Sequence, residues 1–287
     1  MFEAQELQVI RRAYARQVTF LGRAENPALE AAFADVPREA YLGPGPWPIV
    51  NYPPLEYLMT PDADPAWLYA NILVGIAPER NLNNGQPSGH ATWIAAAAPA
   101  PGDHVVHVGA GVGYYSALMA HMAGPAGRLT AIELEAELAA RAASNLAHLP
   151  GARVICADGT SAAFDPADVI YVNAGAARPM EVWLEGLRDG GRLILPLTTE
   201  ANFGPAMTSI TGAVFRIVRR GEDYEAAFVG PIGVFPCAGA RDPASEAALA
   251  EAFRRGGFEK VRRLLRTGKV ADADCWVKAP GWSLVYD

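Results

Sequence analysis

The chain has 287 residues, 51% of them hydrophobic and 19% charged, so it can build a packed core and lacks the high-charge balance of a disordered chain. Its net charge of −7 argues against a surface dedicated to nucleic acid. No apolar run reaches the roughly 20 residues a membrane-spanning helix needs, and the first residues, MFEAQELQVIRRAYARQ, put charges where a secretory signal would be apolar; the expectation is a soluble, cytoplasmic protein with neither nucleic acid nor membrane as partner.

Residues 1 to about 40 predict helices. Leu7, Ile10, Tyr14 and Val18 recur at helical spacing, and Asn26-Pro27 offers a cap followed by proline at the first helical position. The proline-rich stretch 41–63 predicts a loop, with Trp47, Tyr52 and Tyr57 either packed locally or forming a lid, and Asp64-Pro65 starts another helical turn. From 88 to 197 short apolar runs alternate with helical patterns: strands at 104–108, 128–132, 153–156, 168–172 and 192–197, helices at 114–122, 135–149 and 180–187. Strands spaced by helices of this length imply a parallel sheet, with a ligand crevice beyond the strands' C-terminal ends. The runs 213–219 and 224–229 flank a polar turn and predict an antiparallel hairpin on the sheet edge. A helix over 243–255 and strand-like runs at 260–266 and 282–286 follow, leaving open whether the tail extends the sheet or forms a lobe. Arg262, Arg263, Arg266 and Lys269 read as a solvated basic face, with an anion-binding strip as the alternative.

Cys156, Cys237 and Cys275 form no C-x-x-C pair and read as buried thiols. The five histidines show no metal-binding spacing, so no metal is expected.

Chemistry concentrates in the turn 108–114, VGAGVGY, between a strand and a helix. Its glycines permit left-handed backbone and a close approach by a ligand. The third glycine spacing of the dinucleotide fingerprint fails, because Tyr114 stands there. Glu133 ends the next strand, where a carboxylate can accept from both ribose hydroxyls, and Asp158-Gly159 follows the third. Together these fit one adenosine without phosphates, which suits S-adenosylmethionine better than a nicotinamide dinucleotide. Asn173, ending the fourth strand, either touches substrate or sits in a plain loop.

The run VVHVGAGVGYYSA, AIE, CADG, DVIYVNA and then WLEGLRDGGRLILPL resembles a class I S-adenosylmethionine-dependent methyltransferase. More narrowly, VPREAYL (36–42), NNGQPSGHA (83–91) and GGRLILP (190–196) resemble the protein-L-isoaspartate O-methyltransferase family, from about Asp35 to Pro236. The strand–helix alternation and the resemblance together give an α/β, doubly wound, Rossmann-like class I methyltransferase sheet, and the patterns at either end add N-terminal helices and an α+β C-terminal extension. Together with the changes of texture along the chain, the resemblance divides it into an N-terminal cap (1–87), a cofactor-binding domain including the hairpin (88–236) and an extension (237–287).

It also implies methyl transfer from S-adenosylmethionine to an isoaspartyl carboxylate of a protein or peptide. The cofactor-binding candidates are His107, Gly109, Ala110, Gly111, Gly113 and Tyr114 in and before the turn, Glu133 for the ribose, and Asp158 with Gly159 for the adenine. Asn84, Gly85 and Ser88 are the candidate catalytic positions.

Two of these depart from the family pattern. Gly85 stands where the family carries a hydroxyl, and Ser88 serves either as its replacement or as a helix cap. His107 stands where related enzymes place an acid, and reads equally as a core histidine at a strand end. A small-molecule or modified-peptide acceptor, or a silent cofactor-binding module, remain the alternatives, and the oligomeric state is left open.

Overall fold

A computed structural model describes residues 2–51, 56–199 and 212–287. In chain order they form helices α1 (Ala4–Leu21), α2 (Pro27–Asp35) and α3 (Glu39–Leu42), then strands β1 (Pro48–Asn51), β2 (Glu56–Met59), β3 (Gly75–Ala77) and β4 (Leu82–Asn83). The alternating stretch follows: α4 (Pro87–Ala97), β5 (His104–Val108), α5 (Tyr114–Ala123), β6 (Arg128–Glu133), α6 (Ala136–Leu146), β7 (Ala152–Cys156), β8 (Ala167–Val172), α7 (Glu181–Glu185) and β9 (Leu187–Thr198). The chain ends with β10 (Gly212–Arg220), β11 (Asp223–Pro231), α8 (Pro243–Arg255), β12 (Arg263–Leu265), β13 (Cys275–Ala279) and β14 (Trp282–Val285). The described residues fall into two compact units, Met1–Gly102 with Ala110–Cys156, and Asp103–Gly109 with Ala157–Asp287. This grouping follows spatial proximity, whereas the division at residues 87 and 236 follows sequence texture.

The first unit is helical around one parallel strand pair, β6 with β7. Tyr14, Ala15, Val18 and Thr19 of α1 are buried, continuing the stripe read from the sequence. Asn26 caps α2 by accepting from the Leu29 amide at 3.1 Å, a bond of about 1 kcal/mol. Helix α6 buries Leu138, Ala142 and Leu146 on one stripe, each leucine contributing roughly 1.5–3 kcal/mol.

The proline-rich stretch is more structured than a loop. Strands β1 and β2 pair antiparallel, and Trp47 and Thr60 tie the hairpin base through a backbone bond of 2.9 Å and a bond from the Trp47 amide to Thr60 Oγ1. Trp47 is buried and donates its indole N–H to the Gly43 carbonyl, so it packs locally. Tyr52 lies outside the described residues.

The second unit lays eight strands in the order β13-β14-β12-β11-β10-β9-β8-β5. Strands β5, β8 and β9 are parallel, and the rest run antiparallel. All five residues of β5 are buried, as expected of a parallel strand covered on both faces.

The hairpin β10–β11 is therefore not an edge. Tyr224 of β11 pairs with Leu264 of β12, and β14 and β13 continue outward. Strand β13 escaped the sequence reading. The extension shares an apolar centre with β10: Trp276 lies 5.3 Å from Phe215 and 5.1 Å from Phe253. Its indole N–H donates to the Ala252 carbonyl of α8.

The basic face is exposed as expected, with Arg266 paired to Glu181 and Glu185 and Arg263 to Asp223. Cys156 is exposed, unlike Cys237 and Cys275, because it ends β7 at the surface of its unit. Among the described residues no helix is long and apolar enough to cross a membrane.

Candidate functional site

The chain passes from the second unit to the first inside the glycine turn, between Gly109 and Ala110. Gly109, Gly111 and Gly113 all have positive φ (74°, 56° and 90°), a run that side chains with a Cβ resist. The Gly113 amide closes the turn on the Ala110 carbonyl at 3.0 Å, and α5 starts at the next residue.

Within the first unit the turn is locked to Glu133. The carboxylate accepts from the Gly111 amide through Oε2 (2.7 Å) and from the Glu135 amide through Oε1 (3.0 Å). Each oxygen keeps further acceptor capacity, which is what two ribose hydroxyls need. Glu133 is 7% exposed, and burial raises its carboxyl pKa against the lowering effect of these amides. Leu134 beside it is 54% exposed, an apolar face that the flat side of a purine suits. Ala110 and Tyr114 are buried; Tyr114 lies under the Arg38 guanidinium at 5.9 Å and edge-on to Tyr41, so its ring serves the core. Asn145 steadies the same turn by donating to the Val112 carbonyl at 2.8 Å.

The candidate catalytic loop lies in the same unit. Asn84 is buried, its Oδ1 accepting from the Val74 amide and from Arg38 Nη2. Arg38, fully buried, also donates to the carbonyls of Leu68, Ala70 and Ile72, so one guanidinium fixes the segment 68–72 and the loop. Gly85 has φ = 77° and accepts from the Tyr115 hydroxyl at 3.1 Å. Ser88 is not the helix cap: Pro87 takes the first helical position, leaving Gln86 as cap, and the Ser88 amide donates to Asn71 Oδ1.

In the second unit, His107 is fully buried, edge-on to Tyr171 at 5.2 Å, and burial pushes its pKa down to about 3. It is neutral near pH 7, a placement that fits the core-histidine alternative. Asn173 donates to the Gly109 carbonyl at 3.3 Å, so it braces the turn.

Asp158 is half-buried, its Oδ1 accepting from the Thr160 amide (2.8 Å) and hydroxyl (2.7 Å). Gly159 accepts from the Trp183 indole at 2.8 Å. The extension reaches this point: a Cβ at Gly239 would overlap Thr160 Oγ1 and stand 2.6 Å from Asp158 Oδ2. Backbone bonds from Gly175 to Phe235, Cys237 to Gly175 and Ala177 to Ala240 hold that segment in place. Arg38, Tyr115, Asn145 and Gly239 were missed by the sequence reading, although Arg38 stands within the VPREAYL segment.

Residues 65–209 match the family model for protein-L-isoaspartate (D-aspartate) O-methyltransferase. A protein-L-isoaspartate O-methyltransferase of Rhodopseudomonas palustris is 31% identical over 230 residues, covering 78% of this chain and 91% of the relative. The chain belongs to the protein-L-isoaspartate O-methyltransferase family. An Aeropyrum pernix relative of the same name is 35% identical over 162 residues, which span 51% of this chain and 62% of that protein's length.

Two solved structures share the fold of this family member. One, named protein-L-isoaspartate O-methyltransferase, superposes with a TM-score of 0.62 at 17% identity over 95% of this chain and 87% of its own. The other, a Plasmodium falciparum protein of that description in complex with S-adenosyl-L-homocysteine, superposes with a TM-score of 0.60 at 15% identity over 79% and 97%. The first match takes in nearly the whole chain, so the expected α/β methyltransferase fold extends well past the part legible as a family segment.

Proposed function

We propose that this protein is an S-adenosylmethionine-dependent O-methyltransferase acting on isoaspartyl carboxylates of proteins or peptides. Family membership supports the reaction class. The observation that carries the cofactor is the Glu133 carboxylate, held by the Gly111 and Glu135 amides with acceptor capacity to spare. The glycine turn and this carboxylate fit an adenosine bearing no phosphate. The family resemblance assigns Gly109, Gly111 and Gly113 to the methionine end, Glu133 to the ribose hydroxyls, and Asp158 with Gly159 to the adenine.

S-Adenosylmethionine, when bound, supplies a methyl group on a positively charged sulfur. An acceptor carboxylate is ionised at neutral pH, so no residue of this chain has to remove a proton from it. The protein's work is to hold the acceptor in line and limit water, tasks of positioning rather than acid–base chemistry. The loop Asn84–Gly85 does the holding, fixed from behind by Arg38 and Tyr115. A cytoplasmic setting belongs to the same reading, supported by three cysteines that are all free.

The test is methyl transfer from labelled S-adenosylmethionine to an isoaspartyl peptide beside its aspartyl twin, with cofactor binding measured by calorimetry on the same preparation. Labelling confined to the isoaspartyl peptide is expected. Binding without labelling of either peptide would overturn the acceptor assignment and leave a silent module or another acceptor.

A further inference from the structure

Position 85 has no side chain, yet the space a side chain would occupy there is filled. A Cβ built on Gly85 would overlap Nε2 of His90 and stand 2.9 Å from its Cδ2. His90 closes the first turn of α4, and its ring is fixed. It stacks on Tyr115 with centroids 3.4 Å apart and planes 8° from parallel, and meets Trp93 edge-on at 5.3 Å. Tyr115 in turn donates its hydroxyl to the Gly85 carbonyl. Ring, phenol and loop thus form a closed set: Tyr115 holds one side of the Gly85 peptide, and His90 occupies the direction a Cβ would take.

We propose that His90 is a positioning residue for the methyl acceptor, acting through Gly85: its ring fills the space of the missing side chain and holds the loop in the left-handed conformation that only glycine adopts easily. Gly85 and His90 then form one compensating pair. This rests on the methyltransferase reading above. It also changes what restoring a hydroxyl at position 85 does. A serine alone meets a sandwiched imidazole rather than open space, and it carries the strain of φ = 77° besides. Removing the ring lets the loop relax to accept it.

The experiment compares the full chain with Gly85→Ser, His90→Ala and the double variant. It reads kcat and KM for the isoaspartyl peptide, the S-adenosylmethionine dissociation constant and the melting temperature. Each single variant is expected to lower kcat/KM for the peptide at least tenfold, while the cofactor dissociation constant stays within twofold. The double variant is expected to recover at least threefold over Gly85→Ser, since neighbours sharing a space are non-additive. Melting temperatures that change with peptide kinetics intact would reduce the pair to packing and overturn the proposal. So would a double variant no better than Gly85→Ser. A wild-type protein silent on the peptide would instead sink the methyltransferase reading, and the proposal with it.

Discussion

Glu133 couples the two demands placed on a cofactor carboxylate: it must be buried to be precise in direction, and ionised to accept strongly on both oxygens. Burial raises its pKa, and the amides of Gly111 and Glu135 pull it back. Ribose hydroxyls bond the charged form more strongly, and protonation turns one accepting oxygen into a donor, so cofactor affinity is full above the folded pKa and falls as pH drops through it. The fall is expected at higher pH than for an ordinary glutamate, read by calorimetry as the pH is lowered from neutrality. Glu133→Ala should weaken binding by about 1–3 kcal/mol at neutral pH and remove this slope. An unchanged affinity would refute the ribose assignment. His107 adds no such slope, since burial keeps it neutral down to about pH 3. The acid at position 133 was legible because its distance from the turn is covalent arithmetic. The role of His90 was not, because it depends on where a helix turn delivers a ring five residues after the loop.

At the scale of elements, strand β5 and helix α8 could be read almost to the residue. The first is a short valine-rich run, buried throughout and ended by Gly109; the second starts at Asp242-Pro243, where Asp242 accepts from the Ser245 amide, and stops at Gly256. The start of α4 misled, because Pro87 takes the first helical position and leaves Ser88, read as a candidate cap, inside the helix. The tail's course was illegible for another reason: β12 has only three residues, and its pairing of Tyr224 with Leu264 is non-local.

The tail nevertheless reaches Asp158 through Gly239, a contact without sequence signature beyond one glycine. Gly239→Val should push the segment off Asp158 and Thr160. The expected result is cofactor binding weakened about tenfold and stability lowered by about 1–3 kcal/mol, read by calorimetry and denaturant unfolding. Binding left intact would mean the segment lies apart from the adenine wall.

For the molecule as a whole, the extension is a structural part of its unit rather than an addition to it. Ending the chain at residue 236 would leave β11 without its partner β12, uncover Phe215 and Phe228, and delete the bonds that Cys237 and Ala240 make to Gly175 and Ala177. The shortened chain is expected to lose cooperative thermal unfolding and to aggregate on gel filtration; a sharp transition from it would show the tail to be separable. The order of residues along the chain has a consequence of its own. Val105 of β5 pairs with Val169 of β8, so β5 leaves the ribosome long before its partner. During that interval HVVHV, five residues that end fully buried, has no sheet to join within its unit. That strand, which leads directly into the cofactor turn, is the stretch a nascent-chain chaperone would be expected to hold, and slowing synthesis between residues 110 and 170 should lengthen its hold.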